Sequence, residues 1–524
     1  MNPLTLPPSL RAGLPAVDLA GATVPREFLD KVPLKMAREH AVVAIGPGED
    51  GKQRLALGKI ERWAAADQIA YLLDRECRLV SAPETEIQAL LARAYHGHAK
   101  EVDQLAKEIA PDDDAPEVVL AEDVLDLDDK APAVKLVHAT ILQAIRQRAS
   151  DIHLEPGEDG LRVRFRIDGV LYDRALLRRE ALDGVVSRVK VMARMDIAER
   201  RLPQDGGVTI RVGERRVDLR AATLPCQHGE RVVLRLLDKT SGLMSLDGLG
   251  FAPDDLGRIK RVLELLHGIV LVTGPTGSGK TTTLYAMLTT LNSAELNILT
   301  LEDPIEYQLP GVTQTQVSSK KGMTFAKGLR SIVRQDPDIL MVGEIRDLET
   351  ATIAIQSSLT GHLVFSTLHT NDAPSSVTRL LDLGVEPYLV ASSVNAILAQ
   401  RLARRVCESC KEISPIDPAA MRVRGWSDED VAYLESLGCR ETARGRGCDA
   451  CFKTGFWGRA ALFELLVVTE ELRERVVRRE SVADLKRAAL AKGFVTLRKD
   501  GLRKVAQGVT TLEEVWAVTQ MDLE

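Results

Sequence analysis

The stretch from Ile269 to Leu291 constrains the fold more than any other part of the chain. It opens as a short apolar run, Ile269-Val270-Leu271-Val272, and passes through Gly274-Pro275-Thr276-Gly277-Ser278-Gly279-Lys280-Thr281-Thr282. It continues with Leu284, Met287, Leu288 and Leu291 at helical spacing. Strand, glycine-rich turn and helix in that order are the context in which G-x-x-x-x-G-K-[ST] has physical meaning. Glycines leave room for backbone N–H groups to converge on phosphate oxygens, and the helix start adds positive dipole character. Lys280 is expected to reach the β- and γ-phosphates of ATP, and the Thr281 hydroxyl to complete the shell of a Mg²⁺ ion. Gly274, Thr276, Gly277, Ser278, Gly279 and Thr282 complete the expected nucleotide-binding set.

The chain of 524 residues is too long for one core, and at roughly 150 residues per domain it reads as about three or four domains. A hydrophobic fraction of 45% and a charged fraction of 27% are those of a soluble globular protein. A net charge of −6 gives no overall nucleic-acid footprint, so a DNA or RNA partner would need a local basic face. There is no run of about 18 apolar residues, and the N-terminus lacks the basic-then-apolar order of a signal peptide. The chain is expected in the cytoplasm, with any membrane association made through a partner.

Residues 1 to about 25 are rich in Pro, Leu and Ala without a period and read as a flexible or partner-ordered arm. A small domain follows, built on Ala41-Val42-Val43-Ala44-Ile45, Leu55-Ala56-Leu57 and helical stretches near 64–73 and 84–95. His96 and His98 read as surface histidines. Between Pro111 and Lys130 a series of acids faces a single base, the pattern of a solvated linker. From Ala133, Val134, Val137, Ile141 and Ile145 mark a helix. Leu161 to Ile167 then alternates strictly, with Leu161, Val163, Phe165 and Ile167 on the core face and Arg162, Arg164 and Arg166 opposite. Such an arginine ladder is compatible with a solvated face, a nucleic-acid surface or an intersubunit contact.

After the phosphate loop, three apolar strands each end on chemistry. Asn297 to Leu301 runs into Glu302-Asp303, Asp338 to Val342 into Gly343-Glu344, and Leu363 to Thr367 into Leu368-His369. Strands alternating with helical segments imply a parallel sheet whose ligand lies at the carboxyl ends of the strands. Acids at two such ends, beside a phosphate loop, supply what phosphoryl transfer needs: one to hold Mg²⁺ and one to orient water. Farther on, Cys407-Glu408-Ser409-Cys410 and Cys448-Asp449-Ala450-Cys451 form two tight pairs. In a reducing compartment such pairs favour metal over disulfide, and four thiolates suit tetrahedral Zn²⁺ with no open position. Cys439 is a weak substitute ligand, and Cys77 and Cys226 read as core residues. Thr511 and Glu514 are spaced as a capping box.

These motifs resemble those of the GspE/PilB superfamily of secretion ATPases, which power type II secretion and type IV pilus assembly. The resemblance covers roughly Asp129 to Asp522. Gly274 to Thr281 matches the Walker A motif, Leu301 to Glu306 the Asp box and Ile339 to Glu344 Walker B. Thr360-Gly361-His362 with Ser366 to Thr370 resembles the His box. Taken alone, His362 and His369 read as packed or capping histidines. The resemblance implies that Glu344 first, then Glu302 and Asp303, serve Mg²⁺ and water, and that His369 senses the terminal phosphate. It also implies nucleotide-reaching arginines at Arg201 and Arg220, with Arg330 and Arg334 before Walker B; Arg220 and Arg201 are the expected fingers.

The expected architecture is α/β: a RecA-like P-loop ATPase domain with a preceding α+β, PAS-like domain, a small N-terminal domain and a zinc-binding C-terminal insertion. The expected boundaries are 1–110 for partner docking, 111–130 for the acidic linker, and 131–240 for the second N-terminal domain. The ATPase core is expected at 241–400, the zinc region at 401–460 and C-terminal helices at 461–524. The resemblance implies a homo-hexamer that binds a GspL-like inner-membrane protein through the N-terminal domain and a GspF-like platform protein, with no nucleic acid. That domain lacks an evident Arg-Leu-Gly opening of the cyclic-di-GMP-binding domain found in some pilus relatives, which favours docking as its task. Ile355 to Thr360 and Gly328 to Arg334 lean towards the type II secretion member, whereas Asn371-Asp372-Ala373-Pro374 looks pilus-like. Pilus extension is therefore the alternative. A nucleic-acid motor is the third reading, opposed by the acidic charge and an aromatic content of 4%.

Overall fold

The structure is a computed structural model that describes residues 14–19, 21–32, 34–48, 51–73, 75–95, 118–120, 132–213, 215–238, 244–318 and 321–519. The chain divides into two units, Met1–Thr240 and Ser241–Glu524.

The first unit holds two sheets. In the smaller, β1 (Val42–Ile45), β2 (Gln53–Leu57) and β3 (Cys77–Ser81) lie in that order, with β1 antiparallel and β3 parallel to β2. Phe28, Val32, Val43, Leu55, Ile69 and Leu91 fill its core. Residues 14–19 correct, for that segment, the expectation of a flexible or partner-ordered arm, whereas residues 1–13 lie outside the described residues. The Val17 amide donates to the Ser81 carbonyl at 2.9 Å, the Ser81 amide to Pro15 at 2.8 Å, and Leu19 is buried. Exposed amides on β3 thus recruit the segment as an added strand-like edge. His96 and His98 lie outside the described residues.

The larger sheet comprises β4 (Val118–Leu120), β5 (Ala149–Pro156), β6 (Leu161–Ile167), β7 (Val170–Leu177), β8 (Gln204–Val212), β9 (Arg215–Cys226) and β10 (Gly229–Asp238). Its order is β4-β8-β9-β10-β5-β6-β7, antiparallel throughout. Along β6 burial alternates as the period of two requires, and the helices Pro132–Arg146 and Ala181–Met192 supply the rest of that core. On the other face Arg164 reaches Asp173 at 2.8 Å and Glu155 at 3.6 Å, and Arg166 reaches Asp151 at 3.7 Å. Two of the three ladder arginines, Arg164 and Arg166, are therefore matched by acids on neighbouring strands. β4 falls inside the expected linker: Val118-Val119-Leu120, an apolar triplet within the acidic run, pairs with Ile210 to Val212. The rest of 111–130 lies outside the described residues. Cys226 is exposed and Cys77 only half-buried, contrary to expectation, because each sits at a strand end and not in a strand interior.

The second unit is built on β11 (Gly268–Thr273), β12 (Ile298–Glu302), β13 (Thr313–Gln316), β14 (Ile339–Val342), β15 (Leu363–Leu368), β16 (Val394–Val406) and, after the small hairpin β17 (Lys411–Pro415) and β18 (Glu441–Gly445), β19 (Phe456–Val467). The main order is β13-β12-β14-β15-β11-β16-β19, parallel except for β19. β11, β14 and β15 are buried at every residue, which is what covering both faces of a parallel sheet demands. Because these strands run the same way, the loops after β11, β12, β14 and β15 emerge at one end.

Two expected boundaries move. β16 continues to Val406, and β19 returns antiparallel to it from Phe456, in register from Ala396 with Val467 to Arg404 with Arg459. Residues 401–406 and 456–467 therefore belong to the sheet, and the cysteine region is the long connection of a β16–β19 hairpin, residues 407–455. The capping box at Thr511 is half made. The Thr511 hydroxyl accepts from the Glu514 amide at 3.2 Å, but the Glu514 carboxylate turns to Arg404 at 2.5 Å.

Candidate nucleotide site and metal centre

Thr273 ends β11 beside Leu368 of β15. Its hydroxyl meets that of Thr370 at 2.7 Å and accepts from the Thr370 amide at 2.9 Å. These bonds tie the base of the glycine-rich loop to the loop carrying His369. Gly274 has φ 148°, and a Cβ there would lie 2.5 Å from the Gln400 carbonyl oxygen and 2.7 Å from the Ser278 hydroxyl, so no larger residue fits. Gly277, at φ 79°, has open space where its Cβ would point, as a cradle for an incoming ligand requires. The Ser278 hydroxyl is buried without a hydrogen-bond partner, a polar atom that a phosphate oxygen would satisfy.

Lys280 opens the helix Lys280–Leu291, and its ammonium donates to the carbonyls of Gly274 at 2.7 Å and Pro275 at 3.0 Å. Burial pulls its pKa down to about 8; the Glu344 carboxylate opposes this and the Arg401 guanidinium adds to it. Thr281 and Thr282 follow half-buried in the first turn of the helix, and Thr276 is exposed on the loop.

Glu344 follows β14 by two residues. Its carboxylate is held by Arg346 at 2.6 Å and by His369 Nε2 at 3.3 Å. β14 and β15 thus bring Glu344 and His369 into contact, near enough to Lys280 for the Glu344 carboxylate to act on its charge. Glu302 behaves differently: it is 3% exposed and accepts from Tyr285, from Thr300 at 2.6 Å and from Gln314 at 3.0 Å. Asp303, the next residue, is exposed. Arg330 and Arg334 are exposed, Arg330 pairing with Glu349 at 2.5 Å. Arg201 and Arg220 belong to the first unit. Arg201 is highly exposed beside Glu199, and Arg220 is exposed on β9 in register with Arg235. Arg346, Gln400, Arg401 and Asn371 have no motif spacing that marks them. Thr273, immediately before the loop, could have been found by adjacency.

The four cysteines of the hairpin connection do meet. All their sulfurs lie within 4.8 Å of one another, with Cys407 to Cys448 at 3.9 Å, Cys410 to Cys451 at 3.9 Å and Cys448 to Cys451 at 3.7 Å. A disulfide needs about 2.05 Å, whereas tetrahedral thiolates at about 2.3 Å from zinc are about 3.8 Å apart. Amides of Cys448 and Gly455 donate to the Cys451 sulfur at 3.2 Å, and the Gly447 amide to Cys410 at 3.3 Å. Burial pushes the Cys410 thiol up, whereas at Cys451 burial is outweighed by the Cys448 and Gly455 amides and the neighbouring thiols, which bring the thiol down to about 6. The donor set and spacing fit a closed zinc site.

Fold and site together define a P-loop α/β nucleotide-binding protein with a four-cysteine insertion. The chain belongs to the family described as Type II/IV secretion system protein, which matches residues 126–517, and residues 12–101 match the MshEN domain. It is 47% identical to the type II secretion system ATPase E of Vibrio cholerae over 448 residues, 84% of this chain and 87% of that one. It is 41% identical to the type IV pilus assembly ATPase PilB of Myxococcus xanthus over 528 residues, 98% and 90% of the two chains. The solved Legionella pneumophila ATPase DotB shares the fold, with a TM-score of 0.53 at 21% identity over 73% of this chain and 95% of that one.

Proposed function

We propose that the chain is an ATPase that drives type II protein secretion by powering pseudopilus assembly through inner-membrane partners. The observation that carries this is the Glu344–His369 contact beyond β14 and β15, beside the phosphate-loop Lys280 after β11, whose charge Glu344 supports. Lys280 and the loop amides would bind the ATP phosphates, with Ser278 meeting a phosphate oxygen. Thr281, with Asp303 and Glu344, would hold Mg²⁺, which when bound neutralises charge on the β- and γ-phosphates. Glu344 accepts the proton side of the attacking water and orients it, and His369, already on that carboxylate, registers the terminal phosphate. Arg220 and Arg201 serve as fingers on the transferred phosphoryl group. Glu302, with donors on both oxygens, is an internal acceptor joining β12 to the helix Lys280–Leu291.

Zn²⁺ on Cys407, Cys410, Cys448 and Cys451 would be structural. Among the described residues no helix is long and apolar enough to cross a membrane. We place the chain in the cytoplasm as a homo-hexamer, attached to the inner membrane through a GspL-like protein docked on residues 1–110, with a GspF-like platform protein as second partner and no nucleic acid. The 47% identity to the Vibrio ATPase favours secretion, while the 98% coverage by PilB keeps pilus assembly as the second reading. Two host strains decide it, one lacking its type II secretion ATPase and one lacking its pilus extension ATPase, both carrying this chain. Restored export with no restored piliation is expected, and restored piliation alone would overturn the secretion reading.

A further inference from the structure

We propose that Arg401 is a positioning residue for phosphoryl transfer, one buried guanidinium that holds the start of the phosphate loop and the loop after β15 in fixed register. The proposal rests on the reading of this site as an ATPase centre. β16 runs beside β11 with Ala399 opposite Thr273, so Gln400 and Arg401 come next to Gly274 as the loop begins. Arg401 is only 8% exposed. Its Nη1 donates at 3.2 Å to the Gln400 carbonyl, the same oxygen that bars a side chain at Gly274. Its Nη2 donates at 3.0 Å to the Asn371 carbonyl and lies 3.3 Å from the Asn371 side-chain oxygen.

One end of this fork turns back to Gln400 on its own strand, whose carbonyl packs against Gly274, and the other reaches Asn371 on the loop after β15. Gln400 underlies the phosphate loop on both sides of its backbone. Its side chain accepts from Thr283 at 2.7 Å, and a Cβ at Gly279 would come within 2.8 Å of its amide nitrogen. Asn371 is two residues beyond His369, which contacts Glu344. The planar, rigid guanidinium therefore sets the spacing between the phosphate-binding backbone and the residue on the catalytic carboxylate. A lysine keeps the charge but has no fixed fork, and a methionine keeps the length but neither. The pairing of β16 with β11 and β19 is made by backbone groups and not by this side chain. Shifts of about 1 Å in such a constellation can cost about 10²-fold in rate.

The test compares wild type, Arg401→Met and Arg401→Lys by steady-state Mg-ATP hydrolysis and by amide hydrogen exchange on the same samples. Arg401→Met is expected to lose about 10- to 100-fold in kcat, with KM changed by less than about threefold because Lys280 and the loop amides still bind phosphate. Residues 273–280 and 368–373 are expected to exchange faster, while β11, β14 and β15 keep their protection. Arg401→Lys should recover only part of kcat. Unchanged kcat and exchange in Arg401→Met, a raised KM at unchanged kcat, full recovery by Arg401→Lys, or loss of protection across the whole sheet would each overturn the proposal. Absence of turnover in the wild type would remove the ATPase reading instead, and the exchange pattern would still decide whether Arg401 ties the two loops together.

Discussion

At Lys280 the burial that builds the phosphate loop also works against the charge that the loop needs. Its pKa of about 8 stands well below the ordinary lysine value, with desolvation as the first cause. The polyphosphate of ATP favours the ammonium form and so raises that pKa on binding. Below about pH 8 the ammonium is already charged in the free protein and affinity is flat. Above it, binding must take up a proton, so ATP affinity falls as pH rises, by at most about tenfold per pH unit. Glu344 holds the pKa up, so in Glu344→Gln the fall begins at lower pH. Calorimetry in buffers of different ionisation heat checks both, and affinity independent of pH from 7 to 9.5 would contradict the argument. Lys280, Glu344 and the four cysteines were legible because each sits at a fixed offset from a glycine loop, a strand end or a partner cysteine. Arg346 and Arg401 were not, since an arginine on a loop or buried strand carries no spacing signal. Glu302 shows the converse: its motif places it beside the site, but Tyr285, Thr300 and Gln314 claim its oxygens, and no periodicity announces the bonds from Tyr285 and Gln314, which come from other elements.

Among the elements, the pair β16 and β19 decides what the cysteine cluster is for. The strands are adjacent, and the four-cysteine cluster closes the base of the connection between them, Cys407 coming directly after β16 and Cys451 shortly before β19. The parallel core was readable from short apolar runs that each ended on polar chemistry. The antiparallel return was not, because β19 finds its partner only after an insertion of about fifty residues, and local pattern says nothing of such pairing. The same limit hid β4, where three apolar residues in an acidic run have strand character only because β8 offers an edge. Zinc at this site should amount to about one ion per chain, and Cys407→Ser should release it. The consequence is expected to stay within residues 407–455, because β16 and β19 are held by the main sheet and by Phe463, Leu465 and Leu466 in its cores. Metal analysis with limited proteolysis checks this: new cleavage confined to that region, with ATP binding retained, is expected. A metal-free protein of normal stability with four reactive thiols would contradict it.

For the whole molecule, the division into two units separates the expected arginine fingers from the phosphate loop along the chain, with Arg201 and Arg220 in the first unit and Lys280 in the second. A finger in the transition state is worth about 10³-fold or more, so Arg220→Ala should be slow whichever subunit it serves. Mixing Arg220→Ala with Lys280→Ala subunits separates the cases. If Arg220 acts on its own chain's nucleotide, as we expect, mixing restores no activity; recovery in proportion to complementary interfaces would place the finger in trans. The most direct measurement of all is ATP affinity and ATP turnover taken together on Glu344→Gln. Affinity at neutral pH should remain within about threefold of wild type, while turnover falls by about 10²-fold or more, because the amide keeps an oxygen for Mg²⁺ but cannot take the proton of the attacking water. Glu344→Gln hydrolysing ATP at the wild-type rate would contradict the assignment of this site.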